Sequence, residues 1–126
     1  MAVKSENKSF PKKPLLMPRF RVVCGKNVAL GPGKVELLGF LLETGSLNKA
    51  AQRMNMSYMR AWMLVNQMNK CFREPVVIAE RGGRTGGGMK VTETGRRAFT
   101  LYRKIESTAR NSTAAPWRSF QKLLRT

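Results

Sequence analysis

The sequence contains no histidine. It also contains no aspartate, because all seven of its acidic residues are glutamates. Without histidine, the chain cannot build a histidine-based catalytic triad, a histidine zinc site or an imidazole acid–base pair. Without aspartate, it also lacks the paired aspartates of many metal sites. Its glycine-rich segments do not end in the Gly-Lys-Ser/Thr of a phosphate-binding loop. We therefore expect no enzymatic activity, no metal and no cofactor.

Cysteines and long apolar runs are also scarce. Cys24 and Cys71 are the two cysteines and do not form a Cys-X-X-Cys motif, so we expect two reduced core thiols rather than a disulfide. No run of 18 apolar residues occurs, which argues against a membrane-spanning helix. Prolines and lysines at 11–14 interrupt any stretch that resembles a signal peptide. These absences predict a cytoplasmic protein, associated with the nucleoid if it binds DNA.

The charge is strongly unbalanced. Within 126 residues, 24 lysines and arginines stand against seven glutamates, which gives a net charge of +17 and an isoelectric point near 11.2. A chain of this length supports one folded domain with tails. An excess of positive charge attracts polyanions over a long range and makes their binding salt-dependent. Nucleic acid is therefore the first expected partner, and an acidic membrane surface is the second.

The N-terminal part shows a tail followed by mixed secondary structure. Residues 1–18 hold four lysines and three prolines without periodicity, which predicts a flexible basic arm or a merely solubilising tail. Alternating residues at 19–24 predict a short strand. After a turn rich in glycine, the apolar spacing over 34–43 predicts a helix that ends at Gly45. We expect a mainly α fold with a small β component.

Two helices separated by a tight turn are predicted next. Ser46 and Ser57 can each cap the first turn of a helix, and Ala50 and Ala51 allow two helices to cross closely. The second helix is expected to end near residue 72, with its core-facing residues at Ala61, Val65, Met68 and Phe72. Its opposite face holds Met59, Met63, Asn66 and Lys70. Single exposed apolar residues are common, but two methionines on a polar face favour DNA contact.

A glycine-rich hairpin is predicted after these helices. Residues 76–79 and 89–92 have the β-branched composition of paired strands, and the loop over 81–88 contains five glycines around Arg84. Any hairpin loop can carry glycine and a few charges. Beside a candidate recognition helix, however, such a basic loop is typical of a wing that contacts phosphates or a minor groove.

A long helix is predicted to begin at Thr92 and to end at Pro116. Its apolar stripe comprises Ala98, Leu101, Tyr102, Ile105 and Ala109. Intramolecular packing explains the first two turns of this stripe, and the distal part indicates a dimer. The segment over 116–126 is amphipathic, and its cations would allow binding to a membrane surface. Dimer packing or docking to a partner is the expected role instead, and no membrane partner is predicted.

Four strings in the sequence carry a family resemblance. They are TGSLNKAAQRMNMSYMRAW (44–62), NQMNK (66–70), ERGGRTGGGMKVTETGRR (80–97) and LYRKI (101–105). Together they closely resemble the DNA-binding domain of the ModE family of molybdate-responsive bacterial transcriptional regulators. The two-helix part is more distantly similar to LysR-type regulators.

The resemblance implies a winged helix-turn-helix over 19–93, followed by a dimerisation or linker helix over 94–115. It also implies transcription regulation by a homodimer. Regulators of this family normally continue into molybdate-binding β-barrel domains, for which 126 residues leave no room. We therefore expect a regulator without these domains.

The predicted function is sequence-specific binding of double-stranded DNA. The alternatives are a non-specific architectural nucleic-acid-binding protein and a DNA-binding subunit that pairs with a separate sensor protein. The predicted base-reading residues are Ser57, Tyr58, Met59, Arg60, Met63 and Asn66. The predicted contacts to phosphates and in the wing are Lys49, Arg53, Lys70, Arg81, Arg84 and Lys90. The predicted dimer contacts are Leu101, Tyr102, Ile105 and Ala109.

Overall fold

The computed structural model describes residues 12–80 and 88–125. Over these ranges the chain forms two antiparallel β-hairpins and five helices, so the predicted mainly α fold with a small β component is confirmed. The elements are β1 (Val22–Cys24), β2 (Asn27–Leu30), α1 (Pro32–Thr44), α2 (Leu47–Arg53), α3 (Tyr58–Asn69), β3 (Val77–Glu80), β4 (Gly88–Val91), α4 (Glu93–Ser112) and α5 (Ala114–Gln121).

The core lies between the three central helices and the two hairpins. Helix α1 packs against α2, α3, α4 and β4, and α3 packs against α2 and β2. The largest fully buried side chains come from these elements and from the segment before β3: Val35, Leu37, Leu38, Leu41, Leu47, Val65, Met68, Val76 and Val77. Since α1 contributes four of these nine side chains, the other elements are arranged around it.

Local sequence signals set the helix ends. Gly45 ends α1 in a left-handed conformation (φ 64°), and its N–H donates to the Leu41 carbonyl, the usual use of glycine after a helix. The side chains of Ser46 and Ser57 accept hydrogen bonds from the N–H groups of Lys49 and Arg60, each at 3.1 Å. Both predicted serine caps are therefore confirmed. Helix α3 ends at Asn69, earlier than predicted.

The N-terminal hairpin was only half predicted. Strand β1 lies within the expected 19–24, but β2 occupies part of the region expected to be a turn. A turn at Gly25 (φ 61°) brings β2 back against β1. Cys24 in β1 is exposed, and Cys71 is half-buried. Both thiols are free, as predicted. The prediction that they lie in the core is wrong, because Cys24 belongs to β1, whose three residues are all exposed.

The second hairpin agrees with the predicted strands to within one residue. Strands β3 and β4 pair in an antiparallel register that sets Val77 opposite Val91 and Ile78 opposite Lys90. Val77 and Val91 are buried and face the core. The connecting glycine-rich segment, including the predicted wing residues Arg81 and Arg84, lies outside the described residues.

The C-terminal helices differ from the prediction at Pro116. The side chain of Thr92 accepts a hydrogen bond from the Gly95 N–H at 3.0 Å, which confirms the predicted start of α4. Helix α4 ends at Ser112, and Pro116 lies in the first turn of α5. Proline is compatible with that position because the N–H groups of a first turn have no partner within the helix. The prediction that Pro116 ends the long helix is therefore wrong.

Tyr102 is part of the core. Its side chain is 2% exposed, and its hydroxyl donates to the Phe20 carbonyl at 2.6 Å. The stripe on α4 is wider than one contact face, so Tyr102 turns inward while Leu101 and Ile105 stay exposed. The prediction of Tyr102 as a dimer contact is therefore wrong for the folded chain.

No helix within residues 12–80 and 88–125 has the length and apolar character needed to cross a membrane.

Candidate nucleic-acid interface

A short connection holds α2 and α3 together. Residues 54–57 join the two helices, and Asn55 has a left-handed conformation (φ 56°) that reverses the chain. Ala50, Ala51 and Ala61 are fully buried at this crossing. The distance between two packed helices depends on the side chains at the contact, and small ones let the helices come closer. The position of α3 therefore depends on these small residues as well as on the Ser57 cap.

Helix α3 has one buried face and one exposed face. Ala61, Val65 and Met68 are buried, whereas Met59 is 70% exposed and Met63 is 52% exposed. Asn66 and Lys70, predicted to share the exposed face, are also exposed. At about 100° per residue these four exposed residues fall within one arc of the helix. The predicted division of α3 into two faces is confirmed.

Different residues border this arc on its two sides. Tyr58 and Trp62 are exposed on one side. On the other side, Arg60, Leu64 and Gln67 line a surface cavity. The helical angle places these two groups on opposite flanks of the exposed arc. Arg60, a predicted base-reading residue, thus lies at the border between the arc and the cavity.

Asn69 anchors the end of α3 to the second hairpin. Its side-chain amide donates to the Val77 carbonyl at 2.9 Å and accepts a hydrogen bond from the Val76 N–H at 2.8 Å. Val76 and Val77 are buried, so these bonds satisfy polar groups that would be costly to bury without partners. Sequence reasoning did not single out Asn69. Its partners lie seven and eight residues further along the chain, beyond any helical spacing.

The base of the second hairpin is held by α4. Thr92 donates its hydroxyl hydrogen to the Pro75 carbonyl at 2.7 Å, and its N–H donates to the Val76 carbonyl at 3.0 Å. A methyl group added at Gly95 would lie 2.6 Å from Val91 Cγ1, closer than packed carbon atoms approach. Gly95 is therefore needed for packing: without a side chain at this position, α4 can contact the second hairpin directly.

The predicted phosphate contacts are in different environments. Lys49, Lys70 and Lys90 are exposed. Arg53 forms an ion pair with Glu43, and its guanidinium lies 5.6 Å from the centre of the Phe40 ring. A phosphate would have to compete with Glu43 for Arg53. Among residues 12–80 and 88–125, no glutamate forms an ion pair with any of the three lysines.

A cavity of about 510 Å³ adjoins α3 and is strongly cationic. Its walls come from the segment before β1, the turn of the first hairpin, the start of α1 and one flank of α3. Its charged lining residues are Arg19, Arg21, Lys26, Lys34 and Arg60. Of these five residues, only Arg60 was predicted from the sequence to contact DNA. The other four are brought together by the β1–β2 hairpin, and β2 was not predicted.

Lys34 is the buried member of this group. Its side chain is 8% exposed, and its ammonium donates to the Val28 carbonyl at 2.6 Å. Burial lowers the pKa of Lys34 below its ordinary value, and the nearby Arg21 lowers it further, while Cys71 acts in the opposite direction. A buried ammonium beside a second cation is costly unless an anion approaches it.

Of the predicted dimer residues other than Tyr102, two lie on the outer side of α4 and one does not. Leu101 and Ile105 are exposed. Ala109 is half-buried and lines a small, mostly apolar cavity with Leu16 and Phe20. Among the described residues, no three cysteine and glutamate side chains come together as a metal site would require.

No protein-family model matches the chain. Curated relatives do match it over about three-fifths of its length. The molybdenum transport protein ModE of Azotobacter vinelandii is 40% identical over 78 residues, which are 62% of this chain and 29% of that protein. The molybdenum-pterin-binding protein MopB of Rhodobacter capsulatus is 38% identical, with the same two shares.

A third relative is named for DNA binding. The DNA-binding transcriptional dual regulator ModE of Escherichia coli is 34% identical over 71 residues, which are 56% of this chain and 27% of that protein. The chain therefore spans less than a third of the length of the curated relatives it matches. The resemblance indicated by the four strings is confirmed: over more than half of its length, this chain resembles the ModE regulators.

Proposed function

We propose that this chain binds double-stranded DNA in a sequence-specific manner and regulates transcription as a homodimer. In this proposal α2 and α3 form a helix-turn-helix, and the β3–β4 hairpin is the wing. The observation that carries the proposal is the exposed face of α3. Two methionines and Asn66 lie there between cationic residues, on a helix fixed at both ends by Ser57 and Asn69.

The exposed face of α3 has the chemistry of a base-reading surface. Arg60 can donate two hydrogen bonds to the edge of a guanine, and Asn66 can pair with an adenine in the major groove. Met59 and Met63 can make apolar contacts, for example to thymine methyl groups. Ser57 and Tyr58, at the start of the helix, lie where the recognition helix of such folds meets base edges.

The proposed phosphate contacts in the described residues are cations of α2, of the end of α3 and of β4. Lys49, Lys70 and Lys90 are exposed and carry no ion pair within residues 12–80 and 88–125. We also propose Arg53, which would exchange Glu43 for a phosphate, together with Arg81 and Arg84 of the glycine-rich loop. Such contacts hold a protein in register on the duplex but carry no sequence information.

Dimerisation is proposed through α4. Leu101 and Ile105 are exposed apolar side chains one helical turn apart, and Ala109 continues the row. A symmetric dimer would place its two copies of α3 about 34–36 Å apart, on one face of the duplex. The alternative is a separate sensor protein on the same surface. The exposed Phe120, Leu123 and Leu124 at and beyond the end of α5 favour such a partner.

Selection of bound duplexes from a random pool tests the proposal. Affinity for the selected sequence in moderate salt should exceed affinity for random sequence by about 10³ or more. A ratio near one would contradict specific recognition and would support an architectural role.

Two variants then separate base reading from phosphate contact. Arg60→Ala should relax the preference at one base position, while Lys49→Ala should weaken all sequences alike and lower the salt slope by about one. Equal weakening of all sequences by Arg60→Ala would exclude Arg60 as a base reader.

A further inference from the structure

We propose that the cationic cavity beside α3 binds a phosphate of the DNA backbone, on the flank of α3 opposite Tyr58 and Trp62. This site rests on the proposed DNA-binding function and deepens it. Its ligand chemistry is a phosphate oxyanion. The residues that would hold it are Arg19, Arg21, Lys26 and Lys34, while Arg60 lines the cavity at its border with the exposed arc of α3.

The charge of the cavity is the first argument. Five cationic side chains line a space of about 510 Å³, and no acidic residue is among its described lining residues. The ion pairs found in the described parts of the chain join Arg53 to Glu43 and Arg103 to Glu106, so they involve none of the five. Cations gathered in a concave site repel one another until an anion enters.

Lys34 supplies the second argument. A lysine ammonium has three N–H donors, and one of these goes to the Val28 carbonyl. Lys34 as a whole residue is 8% exposed, and it lies at the wall of the cavity. The charge is held there by a neutral carbonyl, and the neighbouring groups that act on it are Cys71, which favours it, and Arg21, which opposes it. A phosphate oxygen in the cavity would supply the missing negative charge.

The start of α1 supplies the third argument. Its N-cap is Gly31, which offers no side-chain hydrogen bond, and the first turn contains no acidic residue. Pro32 has no N–H to satisfy, and Gly33 and Lys34 line the cavity. An α-helix of 13 residues carries a partial positive charge at this end, which attracts an anion.

The place of the cavity in the fold favours DNA as the source of the phosphate. Arg60 belongs to both the cavity and α3, and the exposed arc of α3 begins beside it. A helix lying in a major groove has one phosphate backbone on each side. The cavity would bind the phosphate backbone on its own side of α3. For the phosphate backbone on the other side, the proposed contact is the exposed Lys90 of the second hairpin.

A matched pair at Gly33 tests the assignment. Gly33 is exposed, and a Cβ there would meet nothing within 4 Å. Gly33→Asp places a carboxylate at the mouth of the site, and Gly33→Asn has the same shape without the charge. An acid in a first helical turn is favourable, so Gly33→Asp should fold at least as stably as Gly33→Asn, as thermal unfolding will show.

Binding to a short fluorescent duplex of random sequence is the readout. Relative to Gly33→Asn, Gly33→Asp should weaken binding about three- to tenfold at low salt and reduce the salt slope by about one. Lys26→Gln changes an exposed residue of the first hairpin. It should also reduce the salt slope of duplex binding, relative to the unmodified chain.

The possible failures are distinguishable. If the unmodified chain binds duplex and both Gly33 variants bind it equally well, the cavity assignment is wrong and the proposed function stands. If the unmodified chain binds no duplex, both the cavity assignment and the proposed DNA-binding function are wrong. Inorganic phosphate at matched ionic strength forms a further arm: if it shifts the Gly33 amide resonance and the duplex does not, the site takes a free anion and the DNA assignment is overturned.

Discussion

Helices α3 and α4 both bury one face and expose apolar side chains on the other, but their exposed faces have different neighbours. Met59 and Met63 on α3 lie near Arg60 and Lys70 on the same helix. Leu101 and Ile105 on α4 share their helix with Ala109, whose neighbours are the apolar Leu16 and Phe20. The apolar content is similar, but the charge differs in sign. Leu101 lies beside Glu93 as well as Arg96 and Arg97, whereas α3 carries no acidic residue.

This difference separates two kinds of partner. A polyanion needs cations around any apolar contact, because its own charge must be neutralised. A second copy of a chain with a charge of +17 needs an apolar patch large enough to offset mutual repulsion. On this reasoning the face of α3 is suited to DNA, and the outer face of α4 is suited to another copy of the chain.

The largest expected effect comes from placing charge on α4. The double change Leu101→Glu and Ile105→Glu should convert the dimer to a monomer in analytical ultracentrifugation. Affinity for a two-half-site duplex should then fall about 10²- to 10⁴-fold, since two linked sites bind far more tightly than one. The matched control is Met59→Glu with Met63→Glu, which should leave the dimer intact. A dimer that survives the changes on α4 would contradict the assigned role of that face.

The next largest effect should come from the anchor at the end of α3. Asn69→Ala leaves the buried Val76 N–H without its side-chain acceptor, so the free energy of unfolding should fall by about 1–3 kcal/mol. Asn66→Ala, an exposed change on the same helix, should alter it by less than about 0.5 kcal/mol. Urea denaturation measures both. Equal effects would show that the position of α3 does not depend on Asn69.

A single charge on the exposed face of α3 should have an intermediate effect. Met63→Glu should weaken duplex binding by about tenfold or more, because it would replace an apolar contact to the bases and bring a negative charge close to a polyanion. Met63→Leu keeps the apolar contact and should bind within about threefold of the unmodified chain. Fluorescence anisotropy with the selected duplex compares the two. Similar affinities would remove Met63 from the interface.

The smallest expected effect concerns the inner face of α4. Tyr102→Phe removes the hydrogen bond to the Phe20 carbonyl and should cost about 1 kcal/mol of unfolding free energy, with no change in dimerisation. Burial, and secondarily Glu106, raise the pKa of Tyr102 above its ordinary value.

The pH dependence of the same variant follows from that shift. Folding favours the protonated phenol, so the contribution of Tyr102 to stability is complete below the unfolded-state pKa of about 10. The contribution is lost as the pH rises through the higher folded-state pKa. Tyr102→Phe should therefore flatten the alkaline fall in stability. An unchanged alkaline limb would contradict the burial of the phenol.

The parts of the fold predicted from sequence were those with local causes. Ser46, Ser57 and Thr92 cap helices through bonds that span three residues, and the two faces of α3 follow from helical spacing. The second hairpin was predicted because its strands are rich in β-branched residues. Such signals need no knowledge of the tertiary structure.

The parts that were missed depend on contacts between distant segments. The cationic cavity draws on four stretches of chain that meet only after β2 folds against β1. The hydroxyl of Tyr102 bonds to Phe20, 82 residues away, so helical spacing alone could not separate it from Leu101. From the sequence, Pro116 was predicted to end a helix. In the structure it lies in the first turn of α5, where a proline is tolerated.

The methyl groups of the methionines test the central claim most directly. Met59 and Met63 are exposed on α3, while Met68 and Met89 are buried. In a spectrum of ¹³C-labelled methionine methyl groups, added duplex should shift the signals of Met59 and Met63 and leave those of Met68 and Met89 nearly unchanged. If the duplex binds while the signals of Met59 and Met63 stay in place, α3 does not face the DNA.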